Sequence, residues 1–285
     1  MSISIVIPAY RAEETISRAV GSCLTNSSTN LEIIVVDDGS LDRTGNIADA
    51  LRDPRVRVLH TENHGRSAAR NTGIHVATGE WVAFLDADDT LLPGAVEAFE
   101  NAIRLAKTDL VVFCSLIEGD QRLSQWASKG SDIEENNDAL YQAKADALAL
   151  SMIIGGWSDV TPGSRSYEMN SCWARLYRRQ RLLELAQPLP EGWGPFPEGL
   201  RFSEDRLMNL VYLRSLSGEY VGFMPHAVYC WDLGASGTVG KVSADDALSL
   251  LSYRTRLSEL LASGFISEDE FAPLYAREAA MQFRR

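Results

Sequence analysis

The chain has 285 residues, enough for one large domain or two small ones, and 45% of them are hydrophobic, which suits a substantial core. A formal charge of −12 excludes the basic footprint that nucleic-acid binding needs. No apolar run approaches the length of a bilayer span, and the first five residues are expected to run straight into a strand with no signal peptide. Four scattered cysteines, Cys23, Cys114, Cys172 and Cys230, lack metal-ligand spacing and fit a reducing cytoplasm. His60 and His64 have no ligand-spaced partner and are not read as a metal pair.

Strand and helix signals alternate through the first 115 residues. The run 3–7 predicts a strand stopped by Pro8, and 13–24 a helix with Ile16, Ala19, Val20 and Cys23 on its apolar face. A second strand over 31–36 ends in Asp37-Asp38-Gly39-Ser40. Asp42 can cap a helix reaching about Leu51, and 56–59 reads as a third strand. A small-residue helix over 65–76 leads to the apolar run 81–85, whose composition suits a strand buried on both faces. A helix over 93–107 and a strand over 110–115 close the series. Repeated β-α-β units with short connections predict an α/β fold, a mostly parallel sheet flanked by helices. Ligands of such sheets bind beyond the carboxyl ends of the strands. Three of those ends are polar here: Pro8-Ala9-Tyr10, Asp37-Asp38-Gly39-Ser40 and Asp86-Ala87-Asp88-Asp89.

Each rim signal has a chemical use. Continued strand alternation would turn Asp86 and Asp88 to one side and Ala87 away. Two like charges that close call for a cation, and oxygen-only ligands favour Mg²⁺ or Mn²⁺ bridging to phosphate. Asp37 or Asp38 can accept from a ribose hydroxyl or a base N–H, and Tyr10 can lie against a base or pack over the sheet edge. Arg66 and Arg70, one helical turn apart, can meet phosphate or one of the acidic loops.

The second half is less regular. A helix is expected over 138–154, then a loop to Asn170, then a helix over 171–185 carrying Arg175, Arg178, Arg179 and Arg181. These charges can meet an anionic or lipid-diphosphate acceptor or only solvate an exposed helix face, the reading favoured here. The proline- and glycine-rich stretch 187–202 is long enough for a functional loop or lid. Ser203 is expected to cap the helix opening Glu204-Asp205-Arg206. Of the six tryptophans, Trp193 is the best placed as a platform for a sugar face. Two amphipathic helices fill the tail, with Ala247, Leu250, Leu251, Leu257, Leu260 and Leu261 on one stripe and Phe271, Leu274, Tyr275 and Phe283 on the other. They pack on the same chain or make a homodimer contact.

Four blocks carry a family resemblance: Ser4-Ile-Val-Ile-Pro-Ala-Tyr10, Glu32-Ile-Ile-Val-Val-Asp-Asp-Gly-Ser40, Asn63-His-Gly-Arg-Ser-Ala-Ala-Arg-Asn-Thr-Gly73 and Ala77-Thr-Gly-Glu-Trp-Val-Ala-Phe-Leu-Asp-Ala-Asp-Asp89. In this order the chain resembles a family 2 glycosyltransferase with the Rossmann-like GT-A fold, the inverting, nucleotide-sugar-dependent kind common in bacterial polysaccharide synthesis. The resemblance implies that Pro8, Ala9, Tyr10, Glu13 and Asp38 line a nucleoside pocket, with Asp38 toward a uracil-like base. It also implies that Asp86 faces the ribose and that Asp88 takes the metal holding the diphosphate. In the family an acidic pair at the start of a helix after a glycine-rich loop supplies the base, and Glu204-Asp205 resembles it, with Asp205 as base and Glu204 orienting it or contacting acceptor. Trp173-Ala-Arg-Leu-Tyr-Arg-Arg179 is similar to a Lys-Leu-Tyr-Arg stretch of the family, with Arg175 for lysine. One departure is Tyr229-Cys-Trp-Asp232: aspartate stands where a cation is expected, and His226 is the candidate substitute.

The expected division is 1–115 as the nucleotide-sugar half, 116–240 as the acceptor half and 241–285 as a C-terminal helical extension. The expected activity is metal-assisted transfer of a hexosyl or N-acetylhexosaminyl group from a UDP-sugar to a glycan or lipid-linked acceptor. The setting would be the cytoplasm, with peripheral association at the inner membrane face. The rival, prompted by Asp232, is a nucleotide-sugar-binding protein without turnover. A sugar nucleotidylyltransferase would show a glycine-rich loop after the first strand, which Pro8-Ala9-Tyr10-Arg11 is not.

Overall fold

A computed structural model describes residues 2–26, 28, 30–105, 107–117, 141–154, 170–185, 189, 193–232 and 244–282. Its frame is one mixed sheet. The strands are β1 (Ile3–Ala9), β2 (Leu31–Asp38), β3 (Val56–Thr61), β4 (Trp81–Phe84), β5 (Thr90–Leu91), β6 (Leu110–Ile117), β7 (Tyr141–Lys144), β8 (Arg175–Arg178) and β9 (Tyr220–Trp231). Their order is β3-β2-β1-β4-β8-β6-β9-β5, with β7 paired to β9. β3, β2, β1 and β4 run parallel, β8 is antiparallel to both of its neighbours, and β6 and β9 are parallel.

Alternation along the central strands builds two cores. Val6, Ile34, Val36, Val82 and Phe84 face one side, Ile5, Ile7, Ile33, Val35 and Ala83 the other. The helices α1 (Ile16–Leu24) and α4 (Ala95–Leu105) cover the second face. The first face takes α3 (Arg66–Val76), α5 (Ala145–Ile154), α6 (Arg179–Leu185), α7 (Glu204–Ser215), α8 (Ala244–Ala262) and α9 (Glu268–Gln282). The short α2 (Thr44–Ala50) follows β2. Helix α3 lies so close to β1 that a Cβ on Gly73 would sit 2.3 Å from a Val6 methyl.

The first 115 residues fold in the order the apolar periodicity predicts. Asp42 takes up the start of α2, accepting from the Thr44 amide at 3.0 Å and its hydroxyl at 2.6 Å. Further on, the structure departs from the periodicity. The stretch 171–185 is not one helix: Arg175–Arg178 is strand β8, wedged between β4 and β6, and only Arg179–Leu185 is helical. Leu176 packs into one core and Tyr177 into the other, a two-residue alternation. Arg175 is therefore fully buried rather than solvated. It donates to Asn209 Oδ1 at 3.0 Å, and Tyr177 donates to the same oxygen at 2.6 Å. The stretch expected as a helix over 138–154 contains β7, drawn into the sheet by β9, before α5 begins; residues 138–140 lie outside the described residues.

The C-terminal helices pack on their own chain. Tyr253, Leu257, Leu260 and Leu274 join the core that holds Phe84. Leu251, expected on the same stripe, is 56% exposed, because a helix rotates about 100° between it and the buried Leu250. The side chain of Ala247 and residue Phe283 lie outside the described residues. Among the described residues no helix is long and apolar enough to cross a membrane.

Candidate active site

Strand β4 ends at Phe84, so alternation stops before the carboxylates begin. Leu85 still donates to the Val6 carbonyl at 3.1 Å, and the Asp89 amide then closes a turn on the Asp86 carbonyl at 3.1 Å. The three acidic side chains of this turn diverge. Asp89 is buried, accepting from the Tyr229 hydroxyl and from the Asp232 amide at 2.9 Å. Burial, with Asp86 next in effect, pushes its pKa up to about 8. It shapes the turn from within. The same Tyr229 hydroxyl accepts from the Asp86 amide at 3.3 Å, and the Tyr229 ring stacks on Trp173 at 4.6 Å. Asp88 is half-buried, and burial followed by the charge of Asp86 raises its pKa.

Beside this turn lies Arg70 of α3, with its side chain fully enclosed. Its Nη2 donates to Asp86 Oδ1 at 2.7 Å, while Nη1 donates to Asp205 Oδ1 at 2.6 Å and to Glu204 Oε1 at 3.1 Å. The Phe196 ring lies 5.2 Å from the guanidinium carbon. One turn earlier, Arg66 pairs its Nε with Glu204 Oε1 at 2.9 Å and donates to the Arg201 carbonyl at 3.2 Å. Of the two uses the sequence allows, both arginines here meet acidic residues. Arg70 is sealed off, whereas the Arg66 side chain is 39% exposed. Three carboxylates against two guanidiniums leave the cluster short of positive charge.

Glu204 and Asp205 occupy the first turn of α7, where the helix dipole favours acidic groups. Asp205 Oδ2 also accepts from the Cys172 amide at 3.2 Å. Burial pushes its pKa up to about 6, against the pull of Arg70. Ser203 does not cap this helix through its side chain. It adopts a left-handed backbone, φ 63°, and its hydroxyl donates to Glu278 instead.

On the other side of β1, Pro8 and Ala9 end the strand buried, and Tyr10 stands 45% exposed with the Arg11 guanidinium 5.3 Å from its ring. Asp38 spends its two oxygens on the amides of His64 and Gly65, at 3.0 and 2.9 Å. Asp37 accepts from the Ser40 amide at 3.1 Å and pairs with His60 at 3.1 Å. Glu13 accepts from the Arg43 amide and Nε at 3.1 and 3.2 Å. Ala87 points into the core. The fold thus joins Asp86, Glu204, Asp205, Arg66 and Arg70 in one contact network, with Asp88 at its edge and Tyr10, Glu13 and Asp38 around the neighbouring strand ends.

Trp193 is not a platform here. It is fully buried, and its Nε1 donates to Glu259 of α8 at 2.5 Å. Ahead of α7 the described part of the loop, 193–203, is pinned at Phe196: Asn71 donates to its carbonyl and accepts from its amide, both at 2.9 Å. Asp232 finds its cation in Arg18 of α1, whose Nη2 lies 2.5 Å from the carboxylate and 2.7 Å from the Asp88 carbonyl. His226 sits half-buried on β9. Neither Arg18 nor Asn71 carried a signal of its own, although Asn71 stands inside one of the four blocks. Among the described residues no three His, Cys, Asp or Glu side chains gather as a metal cluster.

Residues 4–202 match the family model described as glycosyl transferase family 2. The chain is 30% identical to the uncharacterized glycosyltransferase EpsJ of Bacillus subtilis, over 80% of this chain and 60% of that protein. It is 45% identical to the uncharacterized glycosyltransferase YibD of Escherichia coli K12, over 64% of this chain and 50% of that one. In fold it resembles S. aureus TarS residues 1–349 in complex with UDP-GlcNAc, with a TM-score of 0.68 at 20% identity, covering 100% of this chain and 73% of that 1–349 chain. The chain belongs to glycosyl transferase family 2, and its fold is GT-A. It spans about half the length of the curated relatives it matches.

Proposed function

We propose that the chain is an inverting glycosyltransferase that moves a hexosyl or N-acetylhexosaminyl group from a UDP-sugar to a hydroxyl of a glycan or lipid-linked saccharide, at the cytoplasmic face of a membrane. One observation carries the reading. A single buried guanidinium, Arg70, joins the carboxylate at the end of β4 to the acidic pair opening α7, so donor-side and acceptor-side groups share one electrostatic centre. The UDP-GlcNAc complex of TarS, a protein of the same fold, supports UDP as the carrier.

In this reading the acceptor oxygen attacks the anomeric carbon from the side opposite the diphosphate, and Asp205 takes the hydroxyl proton. One displacement inverts the carbon. The raised pKa of Asp205, about 6, leaves it ionised at neutral pH yet more basic than an ordinary aspartate. Glu204 holds Arg66 and Arg70 in place. Arg70 positions, because no substrate reaches it; Arg66 is the exposed cation for the diphosphate. Pro8, Ala9, Tyr10, Glu13 and Asp38 line the nucleoside side, with Asp86 toward the ribose.

A divalent ion fits Asp88, with Asp86 beside it. Both offer only oxygen, and Asp88 is held above its ordinary pKa by burial and like charge, a cost that a cation relieves. Such an ion, Mn²⁺ or Mg²⁺, supplies charge neutralisation for the departing diphosphate when bound. Calorimetric titration with UDP, with and without Mn²⁺, tests the donor half of the proposal. Asp88→Ala should abolish the gain in UDP affinity that Mn²⁺ brings; an undiminished gain removes Asp88 from the site.

A further inference from the structure

Helix α7 is held by the last helix in a way its own sequence does not require. Ser203, immediately before it, keeps a left-handed backbone at φ 63° and ψ 15°, a conformation that a residue with a Cβ adopts at a cost. The Ser203 hydroxyl donates to Glu278 Oε1 of α9 at 2.7 Å. The other Glu278 oxygen lies 3.5 Å from Nη1 of Arg206, which itself donates through Nη2 to the Met152 carbonyl at 2.9 Å. The Arg206 and Glu278 side chains are 2% and 1% exposed. Glu278 therefore grips α7 on both sides of Glu204-Asp205.

A second tie sits at the far end, where Arg214 of α7 pairs with Glu270 of α9. Arg206 to Arg214 and Glu270 to Glu278 are each eight residues, roughly 12 Å of helix. The two antiparallel helices thus match in register, with one ion pair at each end of the match. A buried ion pair adds little net stability over apolar packing of the same volume. What this one adds is a fixed place for the start of α7. Ser203, Arg206, Arg214, Glu270 and Glu278 lie beyond the segment that the family model matches, 4–202.

We infer that Glu278 is a positioning residue for the transfer reaction: by anchoring the left-handed Ser203 it sets where Asp205 stands relative to Arg70 and the incoming hydroxyl. The inference rests on the reading of Asp205 as the base. Glu278 touches no substrate; it acts through Ser203 and Arg206.

The test uses the full chain and reads kcat, donor KM and UDP affinity by calorimetry. Ser203→Ala keeps the backbone cost and removes the anchor, so kcat should fall about five- to tenfold while UDP affinity and donor KM hold. Ser203→Gly also lacks the anchor but adopts the left-handed turn freely, and kcat should return to within about twofold of wild type. Glu278→Ala should lower kcat at least as far as Ser203→Ala; if it fails to fold, the serine pair decides alone. A kcat unchanged in Ser203→Ala, or a glycine variant as slow as the alanine one, overturns the inference. Asp205→Asn run alongside separates the two failures. Turnover retained there takes down the base assignment and this inference together, whereas turnover lost there with Ser203→Ala unaffected takes down this inference alone.

Discussion

The two acidic rims, at the ends of β2 and β4, use the same residue type in different ways. At β2 the carboxylates are met mainly by backbone amides, Asp37 by Ser40 and Asp38 by His64 and Gly65, with the His60 ring as a side-chain partner of Asp37. Such contacts satisfy the carboxylate oxygens and fix the shape of the rim. At β4 the partners include side chains from remote segments. Arg70, on Asp86, reaches Asp205 across 135 positions of the chain, and Tyr229 reaches Asp89 across 140. There burial and like charge raise the pKa of Asp88, Asp89 and Asp205. The proposed function assigns chemistry to the rim whose charges the fold leaves under tension, and shape to the rim whose carboxylates the backbone already satisfies.

Mutations grade that difference. Removing the buried cation should cost the most: Arg70→Met strands three carboxylates with only Arg66 beside them, and about 3–5 kcal/mol of unfolding free energy should be lost in a denaturant titration. At β2, Asp38→Asn exchanges one accepting oxygen for a donor and leaves one amide of His64 or Gly65 unpaired, at about 1–3 kcal/mol by the same measurement. The exposed Arg43–Glu13 pair lies outside both rims, with the Arg43 side chain 77% exposed. Arg43→Ala should change stability by less than about 1 kcal/mol. A loss in Asp38→Asn equal to that of Arg70→Met would erase the contrast between the rims.

The sequence reading was strongest where structure is local. Strands β1 to β4 follow from short apolar runs, and their polar ends follow from what interrupts those runs. The carboxylate turn follows from the end of the 81–85 apolar run, but strand alternation does not extend past the last paired residue, and the inward role of Asp89 depends on Tyr229, 140 positions away. Reading failed where a residue's fate depends on a distant strand or helix. Arg175 looks like a surface cation until β8 is inserted between two strands that leave it no water. Trp193 looks like an exposed ring in a loop until α8 closes over it. Asp232 looks like an uncompensated charge until Arg18, 214 positions away, pairs with it. Each of these is a buried or paired polar group whose partner is fixed by topology, and no local pattern encodes topology.

The most direct measurement is transfer rate against pH for the wild type and Asp205→Asn, with UDP affinity measured on both. The account predicts a wild-type rate that falls about tenfold per pH unit below about 6, as Asp205 takes up its proton. It predicts unchanged UDP affinity in Asp205→Asn, with turnover reduced by roughly 10²–10⁴-fold and no acidic limb in what remains. A variant that binds UDP normally and still transfers sugar at a rate close to wild type would contradict it.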